Sequence, residues 1–227
     1  MNNNIFQTHK SFDYINTKPK LILAVNSWLK SSNKLKYFFY TNEMCDDFMK
    51  NNFDDKIYKA YSLLPMGVMK ADLWRYCIIY KYGGIYADTD TICLYDPRIF
   101  LTDALLTVVA ENETHLCQWV FSAPANSPIL KSIIDLSVKR ILTNPIKGGH
   151  IIHHLTGPGV FTDGIEKYLK VNNKPIFKNK KNYHNYPHRT VLKVFKYNNF
   201  HTNIVKHLFA GQDKDGWYNE RYRKIKF

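Results

Sequence analysis

A chain of 227 residues that is 45% apolar and 15% aromatic can bury a substantial core, which excludes an intrinsically disordered segment and points to a single domain spanning 1–227. Its formal charge of +13 is unevenly placed: Glu166 to Phe227 holds 15 Lys and Arg against four acids, a balance that favours an anionic partner or a solvated basic face. Cys45, Cys77, Cys93 and Cys117 form no C-x-x-C pair, so neither a disulfide framework nor a zinc knuckle is indicated.

The opening "MNNNIFQTHKSF" lacks the basic-then-apolar layout of a signal peptide, and no apolar run reaches about 18 residues. The expectation is a soluble, cytoplasmic protein. "NIFQTH" reads as a short strand. "KLILAVNSWLKSS" reads as a helix with Leu21, Val25, Trp28 and Leu29 on one face. "KLKYFFYT", Lys34 to Thr41, has the aromatic density of a buried parallel strand, and "NEMCDDFMKNNF" reads as helix. Met66 to Tyr82 is the clearest helix: Met69, Leu73, Tyr76, Cys77 and Tyr80 keep the helical period, and Gly83-Gly84 stops it. "IYADTDTICLY" and "LLTVVAEN" follow as strands, "SPILKSIIDLSVKRIL" as an amphipathic helix, and "TGPGVFTDGIEKYL" as a turn leading into a helix. Beyond Val171 the expectation is loops with short strands. Strands alternating with helices define an α/β layered fold.

A lone D-x-D is weak: 14 Asp in this chain give about one by chance, and "DKD" at Asp213 to Asp215 is a second. The surroundings of Asp88 and Asp90 carry more. Asp72 and Arg75, three apart on the helix, share a face, and alone they read better as a surface ion pair. The Gly-Gly stop turns the chain into a strand on which Tyr86, Asp88 and Asp90 point one way. Two carboxylates at a strand end suit a hard divalent cation, Mg²⁺ or Mn²⁺, that takes its other ligands from phosphates. His150, His153 and His154 have helical spacing but lack the H-E-x-x-H glutamate, and read better as structural or acceptor-lining residues than as zinc ligands.

The string "KADLWRYCIIYKYGGIYADTD" closely resembles the DXD sugar-binding region of family 32 glycosyltransferases, the group of the Och1-type mannosyltransferases and many capsule enzymes. It is also similar to the glucosylating clostridial toxins. The family pattern (K/R)-(A/S)-D-x-x-R-Y-x-x-L-x-x-x-G-G-I-Y-x-D-x-D is met from Lys70 to Asp90 except for Ile79 at the Leu position. "IFQTHK" resembles the family's opening I-H-Q-x-W-K, with Phe6 for His and His9 for Trp. "TGPGVFTDGI" matches its T-G-P turn. "VKHLFAGQDKDGW" resembles its terminal H-x-x-x-G-S-W, with Gln212 to Gly216 where a single Ser is expected.

The resemblance implies a GT-A fold, a Rossmann-like mixed sheet flanked by helices, that transfers a hexose from a nucleotide-diphosphate sugar with retention of configuration. By position, Asp88 contacts the sugar and the metal shell, and Asp90 binds the metal, with His207 as a third ligand. Asp72 and Arg75 hold sugar hydroxyls, and Arg75 also lies near the leaving diphosphate. Phe6, Gln7, Gly84 and Tyr86 line the donor pocket and Trp217 closes it; His154 and Thr156 fall on the acceptor side. The cofactor is Mn²⁺ or Mg²⁺, and the donor is a UDP-hexose or GDP-mannose. The acceptor is a glycan, a lipid-linked sugar or a protein, with the basic C-terminal quarter as a peripheral membrane contact. A Mg²⁺-dependent phosphoryl or phosphodiester enzyme leaves Arg75, Tyr86 and the Gly-Gly junction unexplained. A non-enzymatic module gripping nucleic acid or anionic membrane has no recognisable nucleic-acid motif to support it.

Overall fold

The computed structural model describes residues 2–31, 35–143, 151–197 and 203–208. Its core is a six-stranded mixed sheet built from β1 (Asn4–Thr8), β2 (Lys36–Tyr40), β3 (Gly84–Ala87), β5 (Leu106–Ala110), β6 (Val120–Ala123) and β7 (Leu192–Lys196), in the order β2-β1-β3-β6-β5-β7. β1 is parallel to both β2 and β3, β6 runs antiparallel between β3 and β5, and β7 is parallel to β5. A separate two-stranded sheet pairs β4 (Thr91–Cys93) with β8 (Val205–His207).

The strands alternate between two apolar layers, as period-2 geometry requires. Phe6, Tyr86 and Phe121 face the layer made by α3 (Asn42–Asn52), α4 (Asp55–Ser62), α5 (Gly67–Tyr82), α6 (Pro128–Thr143), α7 (Ile151–Leu155) and α8 (Pro158–Val171). Ile5, Ile85, Val109 and Val120 face the other layer, where Trp28 of α2 (Pro19–Lys30) packs with Val205 of β8. A short helix α1 (Phe12–Asn16), capped by Ser11, links β1 to α2. No helix among the described residues is long and apolar enough to cross a membrane.

Helix α5 is buried nearly all round, which is why its sequence carries apolar residues on every side. It ends at Gly83, with φ +64°, and Gly84 follows with φ +117°. A Cβ on Gly83 would stand 2.6 Å from the Ala125 nitrogen, and one on Gly84 would stand 2.5 Å from the Asn4 oxygen. Both glycines serve backbone conformation and close approach, and they aim the chain from α5 straight into β3.

Several expectations need correction. "KYFFY" is parallel as expected but lies at the sheet edge, with Phe38 exposed, because among the described residues no strand pairs beyond it. Leu29 is exposed and Ala24 buried instead, since α2 turns Leu21, Ala24 and Trp28 inward. The strand expected through the D-x-D stops at Ala87. Asp88 to Asp90 form a turn, closed by the Thr91 amide donating to the Asp88 carbonyl at 3.1 Å, and β4 then leaves for the second sheet.

Candidate active site

Three connections fix the turn that carries both acids. The Asp88 amide donates to the Trp119 carbonyl at 2.8 Å, Gln7 Nε2 donates to the Asp88 carbonyl at 3.0 Å, and the Leu208 amide donates to the Asp90 carbonyl at 2.9 Å. Gln7 is itself held by the Tyr37 hydroxyl at 2.7 Å. The turn therefore sits at the C-terminal ends of β1 and β3, the edge where α/β sheets bind ligands.

Beneath it lies a buried ionic network. Arg75 meets Asp72 at 3.0 Å and Asp88 at 3.2 Å, although Asp72 is only 2% exposed and Arg75 5%. Its guanidinium lies over the Tyr86 ring, 4.6 Å from the centroid, and the Tyr86 hydroxyl donates to the same Asp88 oxygen. Asp72 also accepts from Gln118 Nε2 at 3.2 Å and from the Thr156 hydroxyl at 3.1 Å. The Tyr76 hydroxyl closes this layer between Gln118 Oε1 and the Thr156 carbonyl. Burial pushes the Asp72 carboxyl up to about 7; Arg75 opposes the rise and Asp88 adds to it. Burial alone would lower the Arg75 guanidinium, but Asp88, Tyr86 and Asp72 together hold it above its usual range, so it stays charged.

Above this floor the geometry is more open. Asp88, Asp90 and His207 each present a ligand atom within 4.8 Å of the others, and all three are partly exposed. His207 Nε2 stands 3.6 Å from Asp90, and its ring packs edge-on against Trp119 at 5.1 Å. β4–β8 pairing sets this encounter by placing His207 opposite Thr91. Burial raises the Asp90 carboxyl to about 6; His207 opposes the rise and Asp88 reinforces it. Two carboxylates forced together beside an imidazole are a donor set that a hard divalent cation fits. His9 lies near enough to feel Asp88, but burial and Lys10 lower it to about 4, so its imidazole is neutral.

The structure thus gathers Gln7, Asp72, Arg75, Tyr86, Asp88, Asp90, Thr156 and His207 around one strand end. The structure places the other expected residues away from the turn or beneath it. Phe6 points away from the turn, stacking on Phe38 and Tyr82 in the helix-side layer. Gly84 lies at the opposite end of β3 against Asn4. Thr156 is fully buried under Asp72 and so supports that carboxylate, while His154 is exposed on α7 with its carbonyl accepting from Arg140. Trp217, His150 and the Asp213 to Asp215 triplet lie outside the described residues. Among the described residues, no further His, Cys, Asp or Glu group with metal-binding geometry is present.

Sequence reasoning missed Gln118, Glu111 and a neighbouring cleft. Glu111 follows β5, and its burial-raised carboxyl feels both His207 and the Trp119 side chain. The cleft is lined by Thr8, Asn42, Asp46, Tyr61, Gly67 and Lys70, beside the first turn of α5. Lys70 pairs with Asp46 there at 3.1 Å and lies over the Tyr61 ring. Lys70 opens the motif, and nothing in the sequence joins it to Asp46, 24 residues away.

Residues 18–112 match the model described as the glycosyltransferase sugar-binding region containing a DXD motif. The chain is 26% identical over 216 residues to an initiation-specific alpha-1,6-mannosyltransferase of Candida albicans, covering 78% of this chain and 56% of that protein. The enzyme of the same name from Schizosaccharomyces pombe is 31% identical over 138 residues, covering 50% of this chain and 35% of the relative. The chain therefore spans between about a third and just over half of these relatives' lengths. The solved PaToxG glycosyltransferase shares the fold, with a TM-score of 0.55 at 18% identity over 76% of this chain and 72% of that one. The mixed sheet flanked by helices is a GT-A fold.

Proposed function

We propose that the protein transfers a hexosyl group from a nucleotide-diphosphate sugar to an acceptor hydroxyl, with retention and with a bound Mn²⁺ or Mg²⁺. The observation that carries this reading is the juxtaposition of the open Asp88–Asp90–His207 triad with the closed Asp72–Arg75–Asp88 floor. Asp88, Asp90 and His207 would hold the ion, which supplies stabilisation of the negative charge on the leaving diphosphate. Arg75 fixes the Asp88 carboxylate from below, and Tyr86 donates to the same oxygen, so the acid cannot rotate away from the turn.

The relatives are named as mannosyltransferases, which favours a mannosyl donor over other hexoses. An α-linked donor giving an α-linked product is the retaining outcome. The acceptor is a glycan or lipid-linked sugar. Calorimetric titration with GDP-mannose and UDP-hexoses, with and without Mn²⁺, tests the reading. One donor should bind only with the metal and be slowly hydrolysed. Metal-independent binding, or Asp90→Asn retaining the metal requirement unchanged, would remove the basis of the assignment.

A further inference from the structure

Helix α2 shows an unusual outward face. Its inner face is Leu21, Ala24 and Trp28, yet Leu23 is 66% exposed, Leu29 is 48% exposed, and Ile22 and Asn26 between them are only partly covered. A surface helix normally turns polar residues outward. The adjoining helix α1 adds Phe12, 54% exposed, and Tyr14, also exposed. Lys10, Lys18, Lys20 and Lys30, on or next to the same two helices, are all exposed. Residues 1–40 contain six Lys and one acid, Asp13. Lys10 and Lys18 both lie over the Tyr14 ring, at 5.2 and 5.8 Å.

We infer that the α1–α2 face docks on an anionic lipid bilayer. Exposed Phe and Leu on two helices that also carry exposed lysines fit an interface in which apolar side chains enter the acyl boundary and ammonium groups meet lipid phosphates. A second copy of the chain fits poorly, because a two-fold contact through these helices would set like charges against one another. The face is also tied mechanically to the site. Trp28 Nε1 donates to the Thr91 carbonyl at 3.0 Å, the Cys93 amide donates to the Ser27 hydroxyl at 2.8 Å, and the His9 ring stacks on Tyr14 at 4.7 Å. Docking through α1–α2 therefore fixes how the Asp88–Asp90 turn meets the membrane plane. The inference is separate from the transferase reading, since lipid binding is measured without turnover.

The test is co-sedimentation of the full chain with vesicles of phosphatidylcholine alone and vesicles also containing phosphatidylglycerol. Wild type should bind the second kind, not the first, and more weakly as salt rises. Phe12→Ser/Leu23→Ser/Leu29→Ser, with its fold verified by circular dichroism, should lower partitioning by roughly tenfold or more. Lys18→Gln/Lys20→Gln should lower it about fivefold per lysine, whereas Lys178→Gln should leave it unchanged. Three results overturn the inference. In one, wild type fails to bind anionic vesicles. In another, the triple variant binds like wild type, which moves the contact to the basic C-terminal quarter. In the last, light scattering shows a lipid-free dimer that the triple variant dissolves, which makes the occupant a second copy.

Discussion

The floor of the site and its open corner are both built around aspartates but follow opposite rules. In the floor, Arg75, Asp72, Gln118, Thr156 and Tyr86 saturate one another in a volume closed to solvent. In the corner, Asp90 and His207 stand 3.6 Å apart at a partly open edge, in a donor set with more negative than positive charge. The floor pairs its charges internally, whereas the corner presents two carboxylates and an imidazole toward solvent. The contrast separates residues that position from residues that bind.

The sharpest way to break that contrast is Arg75→Ala. It leaves Asp72 buried without its cation and should cost about 3–5 kcal/mol in urea unfolding. Arg75→Lys should recover only part of this, because a single ammonium cannot span Asp72, Asp88 and the Gln118 carbonyl together. Asp90→Asn should behave oppositely. Stability without metal should change by no more than about 0.5 kcal/mol, while the stabilisation that Mn²⁺ gives wild type, about 2.7 kcal/mol at a hundredfold excess over Kd, should vanish from thermal melts.

A smaller effect should appear in Asp72→Asn. Because Asp72's folded value, about 7, lies above its unfolded one, the native state holds a proton that the unfolded chain releases. Its contribution therefore favours the folded state below about pH 4 and declines as pH rises towards 7. Unfolding measured across that window should show wild type losing on the order of 2 kcal/mol more than the variant. Tyr86→Phe should have the least effect, about 1 kcal/mol. It keeps a ring under Arg75 and removes only the donation to Asp88. If it costs as much as Arg75→Ala, the hydroxyl is part of the floor's essential charge balance.

Much of the site could be read from sequence because its frame is local. Asp72, Arg75, Gly83, Gly84, Tyr86 and Asp88 follow one another through a helix, a glycine stop and a strand, so spacing alone sets their relative positions. What was hidden depends on long-range partners. Gln118 reaches Asp72 across 46 residues, and "VFSA" is a four-residue strand buried on both faces, without the alternation that would reveal it. α4 is only eight residues long, and its N-terminal cap, Asp54, was not recognised. "KYFFY" misled because aromatic density signals a strand but not whether another strand lies beyond it. Phe6 and Gln7 were assigned together, although neighbours on a strand face opposite ways.

The β4–β8 pairing has a consequence of its own. His207 reaches the acidic turn because Val205–His207 zips against Thr91–Cys93, so a late segment of the chain supplies one corner of the cation site. An ion held there acts as a clasp between two distant stretches of sequence. Loading such an ion and fastening Val205–His207 to β4 would then be one event, and a chelator should loosen both together.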